Sequence, residues 1–197
     1  EFLIKFTSLK HQTYFFKGCS SCEANCCDGR KGSVFSQILI DEFASISEYF
    51  PILFIMGDLG FVKPVVLLSN GFELCPYNEN FSCTIYDKRP SVCKNYPLSP
   101  DIDNQIYLDL NCPAIDTQEG KLIIKEGIVQ KDFYNKSFDN YQDKYLDTYY
   151  VFEKFPKEDF ELVGTIHSIK FYKYNKTSEN LYLQYHHNSL EHLSALL

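Results

Sequence analysis

The apolar positions between Val34 and Phe50 recur at spacings of three and four residues, which is the period of one face of an α-helix. Ser33 precedes this segment and Pro51 follows it directly. Proline lacks a backbone N–H and its ring clashes with the preceding turn, so it rarely continues a helix. The pattern therefore predicts an amphipathic helix that ends at Pro51. It would place these side chains on one face: Phe35, Ile38, Leu39, Phe43, Ile46 and Phe50.

Shorter apolar runs downstream have the character of β-strands. Lys63–Leu68 is apolar and contains two β-branched valines, which favours a short strand. Phe72–Cys75 is expected to pair with Cys83–Tyr86 across a turn at residues 78–80. Such a hairpin would bring the cysteines of its two strands close together.

Two further elements lead to cysteines. Proline is favoured in the first turn of a helix, so the segment that starts at Arg89-Pro90 is expected to form a single helical turn that carries Cys93. Gln105–Leu110 alternates between apolar and polar residues as a strand does, and it ends just before Cys112. Residues 1–16 have no clear period, and we expect them to be irregular or partly extended.

Residues 116–197 contain no cysteine and differ from the first part of the chain in composition. A stripe of aromatic residues at helical spacing predicts an amphipathic helix packed on the core, rather than a cofactor site. Its members are Phe133, Phe138, Tyr141, Tyr145 and Tyr149. Leu122–Val129 is a second apolar stretch, Gly164–Tyr174 alternates as a strand, and Glu179–Leu197 is expected to be a closing helix.

Together these patterns predict an α+β fold. A cysteine-rich region with short strands and a helix would occupy residues 1–115. An aromatic-rich C-terminal extension, with helices and one or two strands, would occupy residues 116–197 and pack on the first region as one compact unit. The length of 197 residues suits a single unit of this kind.

Composition and charge exclude some function classes. Hydrophobic residues make up 45% of the chain, which is too many for a disordered protein. The net charge is −7 and no long basic run is present, so we expect no binding to nucleic acid through its phosphates. The longest apolar run, Tyr49–Gly57, is too short to cross a bilayer. The first residues lack the pattern of a signal peptide, and we expect a cytoplasmic protein.

The eight cysteines are the strongest candidates for chemistry. They lie at Cys19, Cys22, Cys26, Cys27, Cys75, Cys83, Cys93 and Cys112, and 47 residues separate the first four from the next. An even number permits four disulfides, and buried inert thiols are a further alternative. Metal ligation is favoured, because a chain of this size folds without disulfide staples and because a bound ion would hold the long loop closed.

The spacing of the first four cysteines carries more detail. Cys19 and Cys22 form a Cys-x-x-Cys pair, whose turn points both sulfurs at one ion. The neighbouring Cys26 and Cys27 are adjacent, and adjacent side chains diverge and rarely bind one ion together. One of these two thiols would therefore ligate a second metal, or simply pack.

Charge is a second consideration at such a site. Zinc held by four thiolates has a net charge of about −2, which nearby N–H groups or cations must offset. The arginines of the chain are Arg30 and Arg89, and each lies within six residues of a cysteine. They either neutralise the thiolates or are ordinary surface cations, and the sequence favours neither interpretation.

These motifs carry a resemblance. The pattern Cys-x-x-Cys-x-x-x-Cys-Cys, then CPY, then CTIYDKRPSVCKNYP and CPAI, resembles the YkgJ-type cysteine-cluster family, described as a zinc- or iron-chelating domain. The resemblance covers Gly18–Ile115, and CTIYDKRPSVCKNYP is its most specific part. It implies that all eight cysteines form the chelating set. Residues after Asp116 show no such resemblance.

Three function classes are open at this stage. In the first, which we favour, zinc is mainly structural and supports a module that binds an unknown protein or small molecule. In the second, the same cysteines hold iron or an iron-sulfur cluster for electron transfer or catalysis. In the third, Cys19, Cys22, Cys26 and Cys27 act as a thiol redox switch. Zinc is favoured because nothing in the sequence indicates a redox partner, a substrate pocket or a catalytic nucleophile.

Other polar clusters give weaker signals. His186, His187 and His192 could bind metal, but a solvated polar patch is the favoured interpretation. Asp41 and Glu42 could donate to an iron site, but we expect both to be exposed carboxylates on the first helix.

Overall fold

The computed structural model describes residues 6–19, 22–57 and 61–196. The fold is mixed α/β, with antiparallel sheets and a few short helices. The strands are β1 Phe6–Ser8, β2 Tyr14–Phe16, β3 Phe35–Gln37, β4 Ile52–Met56, β5 Val62–Leu67, β6 Asn78–Glu79, β7 Ser82–Cys83, β8 Leu98–Pro100, β9 Ile106–Asp109, β10 Ile115–Asp116, β11 Lys121–Lys125, β12 Ile128–Val129, β13 Phe160–Ile166 and β14 Ile169–Tyr174. The helices are α1 Phe43–Ile46, α2 Ser91–Asn95, α3 Tyr141–Phe152 and α4 Leu181–Ser189.

The main sheet has five strands in the order β13-β14-β4-β5-β3. β4 is the central strand and β5 lies beside it, and both are interior strands because their near-continuous apolar runs can be buried on both faces. β4 runs antiparallel to both of its neighbours, β14 and β5. Strands from both regions predicted from the sequence, 1–115 and 116–197, contribute to this sheet.

Aromatic side chains fill the core between this sheet and the helices. The rings of Phe43 and Phe152 stack with centroids 5.6 Å apart, and Phe54 lies 5.3 Å from Phe152. All three side chains are fully buried. This core therefore joins α1 and α3 to the central strand β4.

Two smaller sheets are formed by other strands, which pair among themselves. One has the order β1-β9-β8 and the other β10-β2-β11-β12. They share a second core that contains Leu98, Leu108, Ile123 and Ile124. The ends of β2 and β9 lead directly into cysteine segments, so these sheets position part of the candidate site.

The helix predicted for residues 34–50 is largely wrong. Phe35–Gln37 is an edge strand paired with β5, residues 40–42 form a 3₁₀ turn, and only Phe43–Ile46 is α-helical. A helix would place all the apolar residues on one face. In the fold, Phe35 packs on Phe171 with ring centroids 5.4 Å apart, whereas Phe43 faces the main core. Strand pairing of the first part has overridden the helical pattern.

Several other predictions can be compared with the structure. The strand at Lys63–Leu68 is confirmed as β5, the strand at Gln105–Leu110 as β9, and the helical turn that carries Cys93 as α2. Gly164–Tyr174 is not one strand, because a turn at His167–Ser168 divides it between β13 and β14. The stretch 122–129 is likewise a hairpin.

The C-terminal helices are shorter than the sequence patterns suggested. The aromatic stripe is α-helical only from Tyr141, and Phe138 lies in a separate 3₁₀ turn at Lys136–Phe138. The closing helix α4 ends at Ser189 before a 3₁₀ segment at Leu190–Ala195. Within the described part of the chain, no helix is both long enough and apolar enough to cross a membrane.

Candidate metal centre

Backbone pairing joins the two cysteine clusters. The N–H of Cys75 donates to the carbonyl of Cys27 at 2.7 Å, and the N–H of Gly29 donates to the carbonyl of Glu73 at 2.9 Å. A side chain at Gly29 would meet Ser69 Oγ at 2.5 Å and the Glu73 carbonyl oxygen at 2.9 Å, so this close approach requires glycine. The long loop between the clusters is thus closed by main-chain contacts.

A short hairpin positions Cys75 and Cys83. The predicted hairpin exists, but its strands are β6 and β7 rather than Phe72–Cys75 and Cys83–Tyr86. Asn78 lies opposite Cys83, and the N–H of Asn78 donates to the carbonyl of Cys75 at 2.8 Å. The hairpin is shorter than predicted because Asn80 and Phe81, which have positive φ, form a tight two-residue turn.

Helix α2 presents Cys93 beside an anchored arginine. The guanidinium of Arg89 lies 3.6 Å from the ring centre of Tyr86, and its Nε donates to the Tyr86 carbonyl at 2.8 Å. It also lies near the carbonyl of Cys93, at 3.5 Å. At the N-terminus of α2, Glu42 Oε1 accepts from the Ser91 N–H at 3.3 Å. Glu42 is half-buried, and its carboxylate accepts hydrogen bonds from the backbone at Ser91 and at Leu39. The prediction of an exposed carboxylate is therefore wrong for Glu42.

The smaller sheets position Cys19 and Cys112. β2 and β10 pair antiparallel with Phe16 opposite Ile115, and the N–H of Lys17 donates to the carbonyl of Ala114 at 2.8 Å. These contacts bring the segments that carry Cys19 and Cys112 together. The strand pairing itself ends before either cysteine, because Gly18 has a positive φ of 97° and the Ile115 N–H donates to the Cys112 carbonyl at 3.0 Å in a turn. The N–H of Cys22 donates to the Cys19 carbonyl at 3.2 Å, which closes the turn between these two cysteines.

The thiols influence one another electrostatically. Burial, with smaller contributions from nearby sulfurs, raises the pKa of Cys75 to about 11 and that of Cys93 to about 12. Burial also raises the pKa of Cys19 and of Cys112, each with a contribution from Cys22. Each of the eight thiols lies within electrostatic reach of at least two others. In this state most of the buried thiols are protonated at neutral pH.

Cys26 and Cys27 form a coupled pair whose sulfurs are 4.0 Å apart. The pKa of Cys27 is lowered, first because the Cys26 thiol can donate to its sulfur, and then because of the Asn78 amide and the Arg89 charge. The pKa of Cys26 is correspondingly raised. Both polar side-chain atoms of Asn78 are buried and have no partner at normal hydrogen-bond geometry. The Asn78 amide lies near enough to the Cys27 thiol to help lower its pKa, and the sequence indicated Asn78 only as a turn residue.

The two arginines differ in their surroundings. Arg30 is engaged by Asp28 through two hydrogen bonds of 2.9 Å, one from Nε and one from a terminal nitrogen. Arg89 instead lowers the pKa of Cys19, Cys27 and Cys93 through its charge. Of the two arginines, Arg89 is therefore the one that is placed to offset negative charge on the thiols.

The C-terminal histidines bind backbone groups. His186 is fully buried, and its two ring nitrogens contact the Ile52 carbonyl at 2.6 Å and the Tyr174 N–H at 3.0 Å. His187 and His192 each lie near a main-chain carbonyl, at 3.1 Å and 3.2 Å. The prediction of a solvated polar patch is wrong for His186, because its ring joins α4 to the main sheet.

All eight cysteines are free thiols in the structure, so none is joined to another as a disulfide. As they stand, no three histidine, cysteine or carboxylate side chains form a group that could hold a metal ion, over residues 6–19, 22–57 and 61–196. No family model, curated protein or solved structure matches this chain. The resemblance to the YkgJ-type family, and the chelating set that it implies, therefore stay predictions.

The residues nevertheless suit a thiophilic ion in their chemistry. Thiolate sulfur is the preferred ligand type of zinc and of iron-sulfur clusters. The buried amide of Asn78 offers an N–H that a metal-bound thiolate could accept, which is the usual way in which a protein supports such ligands. Binding would require thiol side chains to rotate toward one another and to lose their protons.

Proposed function

We propose that this protein binds zinc through its clustered cysteines, and that the ion mainly stabilises the cysteine-rich region. In this account the metal staples residues 1–115, and the stabilised region supports the binding of an unidentified protein or small molecule. The support is the convergence of chain segments that are distant in sequence. Hydrogen bonds between main-chain groups join the Cys27 and Cys75 segments and the Cys19 and Cys112 segments, and each thiol lies within electrostatic reach of at least two others.

The thiol environment explains why a cation would be favourable here. Crowded, buried sulfurs resist ionisation, as the raised pKa values of Cys75 and Cys93 indicate. A bound ion would replace their protons and remove the repulsion between thiolates, so metal binding should release protons. Arg89 and the Asn78 amide would offset the remaining negative charge.

Exposed apolar side chains support the idea of a binding module. Phe72, Phe81 and Tyr86 are 70%, 59% and 57% exposed, and all three belong to the segment that carries Cys75 and Cys83. Rigid aromatic side chains of this kind are enriched at protein interfaces. A partner that contacts them would depend on the order of the cysteine segment.

The test is metal analysis of protein purified without oxygen. We expect a colourless protein with stoichiometric zinc, which a strong chelator removes with a large fall in melting temperature. Cys75→Ser should lose metal, whereas Ser82→Ala, an exposed position in the same segment, should retain it. A brown protein with iron and inorganic sulfide would instead support the iron-sulfur alternative. Folded protein that lacks metal and is unaffected by a chelator would contradict the proposal.

A second candidate, the thiol redox switch, is supported by the pair Cys26 and Cys27. Their sulfurs are 4.0 Å apart and the pKa of Cys27 is lowered, which favours attack on a disulfide reagent. Oxidation would join the two sulfurs and transfer two electrons and two protons to a small disulfide, which is reduced to two thiols. Reversible loss of two thiols per chain in metal-free protein would support this function, and no loss would exclude it.

A further inference from the structure

The cysteines divide by position into two groups. We propose that the chain binds two separate metal ions, one held by Cys27, Cys75, Cys83 and Cys93, and the other by Cys19, Cys22, Cys26 and Cys112. We call these the hairpin set and the strand-end set. This inference rests on the proposed metal-binding function and adds the number of ions and the ligands of each.

The hairpin set is assembled around β6 and β7. Cys75 is bonded to Cys27 through the backbone at 2.7 Å, and the same hairpin places Cys83 opposite Asn78. Cys93 and Cys75 both pack against the main core. The buried Asn78 amide lies among these residues, where it faces Cys27. Four thiols and the Asn78 amide, which can donate an N–H to a thiolate, therefore lie near one another at this hairpin.

The strand-end set is assembled where β2 and β10 end. The pairing of β2 with β10 and the hydrogen bond from the Lys17 N–H to the Ala114 carbonyl bring the segments of Cys19 and Cys112 together, and Cys22 follows Cys19 through a turn closed by a hydrogen bond of 3.2 Å. Cys26 is assigned to this set because its neighbour Cys27 is hydrogen-bonded to the hairpin segment, and because Cys26 follows Cys22 by four residues and lies within electrostatic reach of it. The second core packs beneath these strands, so the two sets rest on different cores.

The adjacent cysteines are the point at which the sets divide. Cys26 and Cys27 lie on a 3₁₀ turn, Asn25–Cys27, in which successive side chains point about 120° apart. Cys27 is bonded to the hairpin through its carbonyl, whereas Cys26 precedes that contact. Their 4.0 Å separation would also permit a shared ion, so the experiment must count the metals.

The experiment is titration of the reduced full chain with cadmium, followed by cadmium NMR and by elemental analysis. We expect two equivalents to bind and to give two resonances in the range of sulfur-only sites. Cys83→Ser should lose one resonance and half of the metal, and Cys112→Ser should lose the other. Ser82→Ala is the matched control and should keep both. These counts use the metal itself and do not depend on an activity.

Each outcome distinguishes this inference from the proposed function. One equivalent with one resonance would overturn the two-site inference and leave the metal-binding proposal intact. Loss of all metal from either serine variant would likewise overturn it, provided that circular dichroism shows the variant folded. If the variants do not fold, the number of resonances of the unaltered chain decides. No bound cadmium at all would overturn both.

Discussion

Acidification should destabilise this fold through one buried ring, that of His186. The side chain has no exposed surface, and its Nδ1 and Nε2 contact the Ile52 carbonyl and the Tyr174 N–H. This arrangement fits the neutral ring with the proton on Nδ1, since Nε2 must accept. Protonation of Nε2 would set an N–H against the N–H of Tyr174 and leave both unsatisfied. Burial, with small contributions from His187 and Lys173, lowers the pKa of His186 from 6.5 to about 4.

The magnitude follows from that shift. Each pKa unit corresponds to about 1.4 kcal/mol, so the difference between 6.5 and about 4 is worth about 3 kcal/mol. Below pH 6.5 the unfolded chain binds this proton and the native chain does not. The stabilisation is therefore complete above pH 6.5, falls as the pH is lowered through this window, and is lost by about pH 4. Because domains are stable by only about 5 to 15 kcal/mol, the loss is large.

Urea unfolding at a series of pH values would measure this effect. Between pH 6.5 and 4, the free energy of unfolding of the native chain should fall by about 3 kcal/mol more than that of His186→Gln. The exposed His167→Gln variant is the control and should follow the native chain. NMR titration of the His186 ring gives the pKa directly. A ring that titrates near its ordinary value, or equal pH dependence in the two chains, would refute the reasoning.

Three further substitutions test other contacts. Asn78→Leu removes the amide that faces Cys27, and should weaken metal affinity by about 10-fold or more in a chelator competition, whereas Ser82→Ala should not change it. Gly29→Ala should lower the free energy of unfolding by about 1 to 3 kcal/mol, because its Cβ would clash with the Glu73 carbonyl. Gly57→Ala should cost less, since the clash there is with the flexible side chain of Lys63. Phe152→Ala should cost about 3 to 5 kcal/mol by urea unfolding, and the exposed Tyr150→Ala much less. Equal losses of stability for Gly29→Ala and Gly57→Ala, or for Phe152→Ala and Tyr150→Ala, would contradict the packing described.

Local signals predicted those elements whose partners did not have to be known. The strand β5 follows from a run of apolar and β-branched residues, and α2 follows from the proline directly before it, Pro90 at its N-cap. Segment 34–50 could not be predicted in this way. Its apolar spacing fits a helix, but the edge of β5 offered Phe35–Gln37 a ladder of backbone hydrogen bonds that no local pattern contains.

The hairpin of β13 and β14 was missed for a different reason. Its turn residues, His167 and Ser168, have positive φ values of 47° and 70°, but neither is glycine or asparagine, which are the strongest sequence signals for such a two-residue turn. Glycine or asparagine at these positions would have indicated a turn, and the predicted strand would then have been divided into two. The pairing of β14 with the distant strand β4 stabilises this hairpin, although its turn lacks glycine and asparagine.

The candidate site was predictable in its residue types and not in its arrangement. The number of cysteines indicated a metal centre, which stays a prediction, and the structure shows which of their segments are paired. The pairing of Cys27 with Cys75, and of the β2 end with the β10 end, depends on contacts between distant parts of the chain. The role of Asn78 beside Cys27 likewise depends on burial, which a turn asparagine does not reveal.

X-ray absorption at the zinc edge, on protein purified without oxygen, tests the metal-binding claim most directly. The account predicts bound zinc with a first shell of about four sulfurs at about 2.3 Å. A first shell dominated by nitrogen or oxygen, or folded protein with no bound metal, would contradict it.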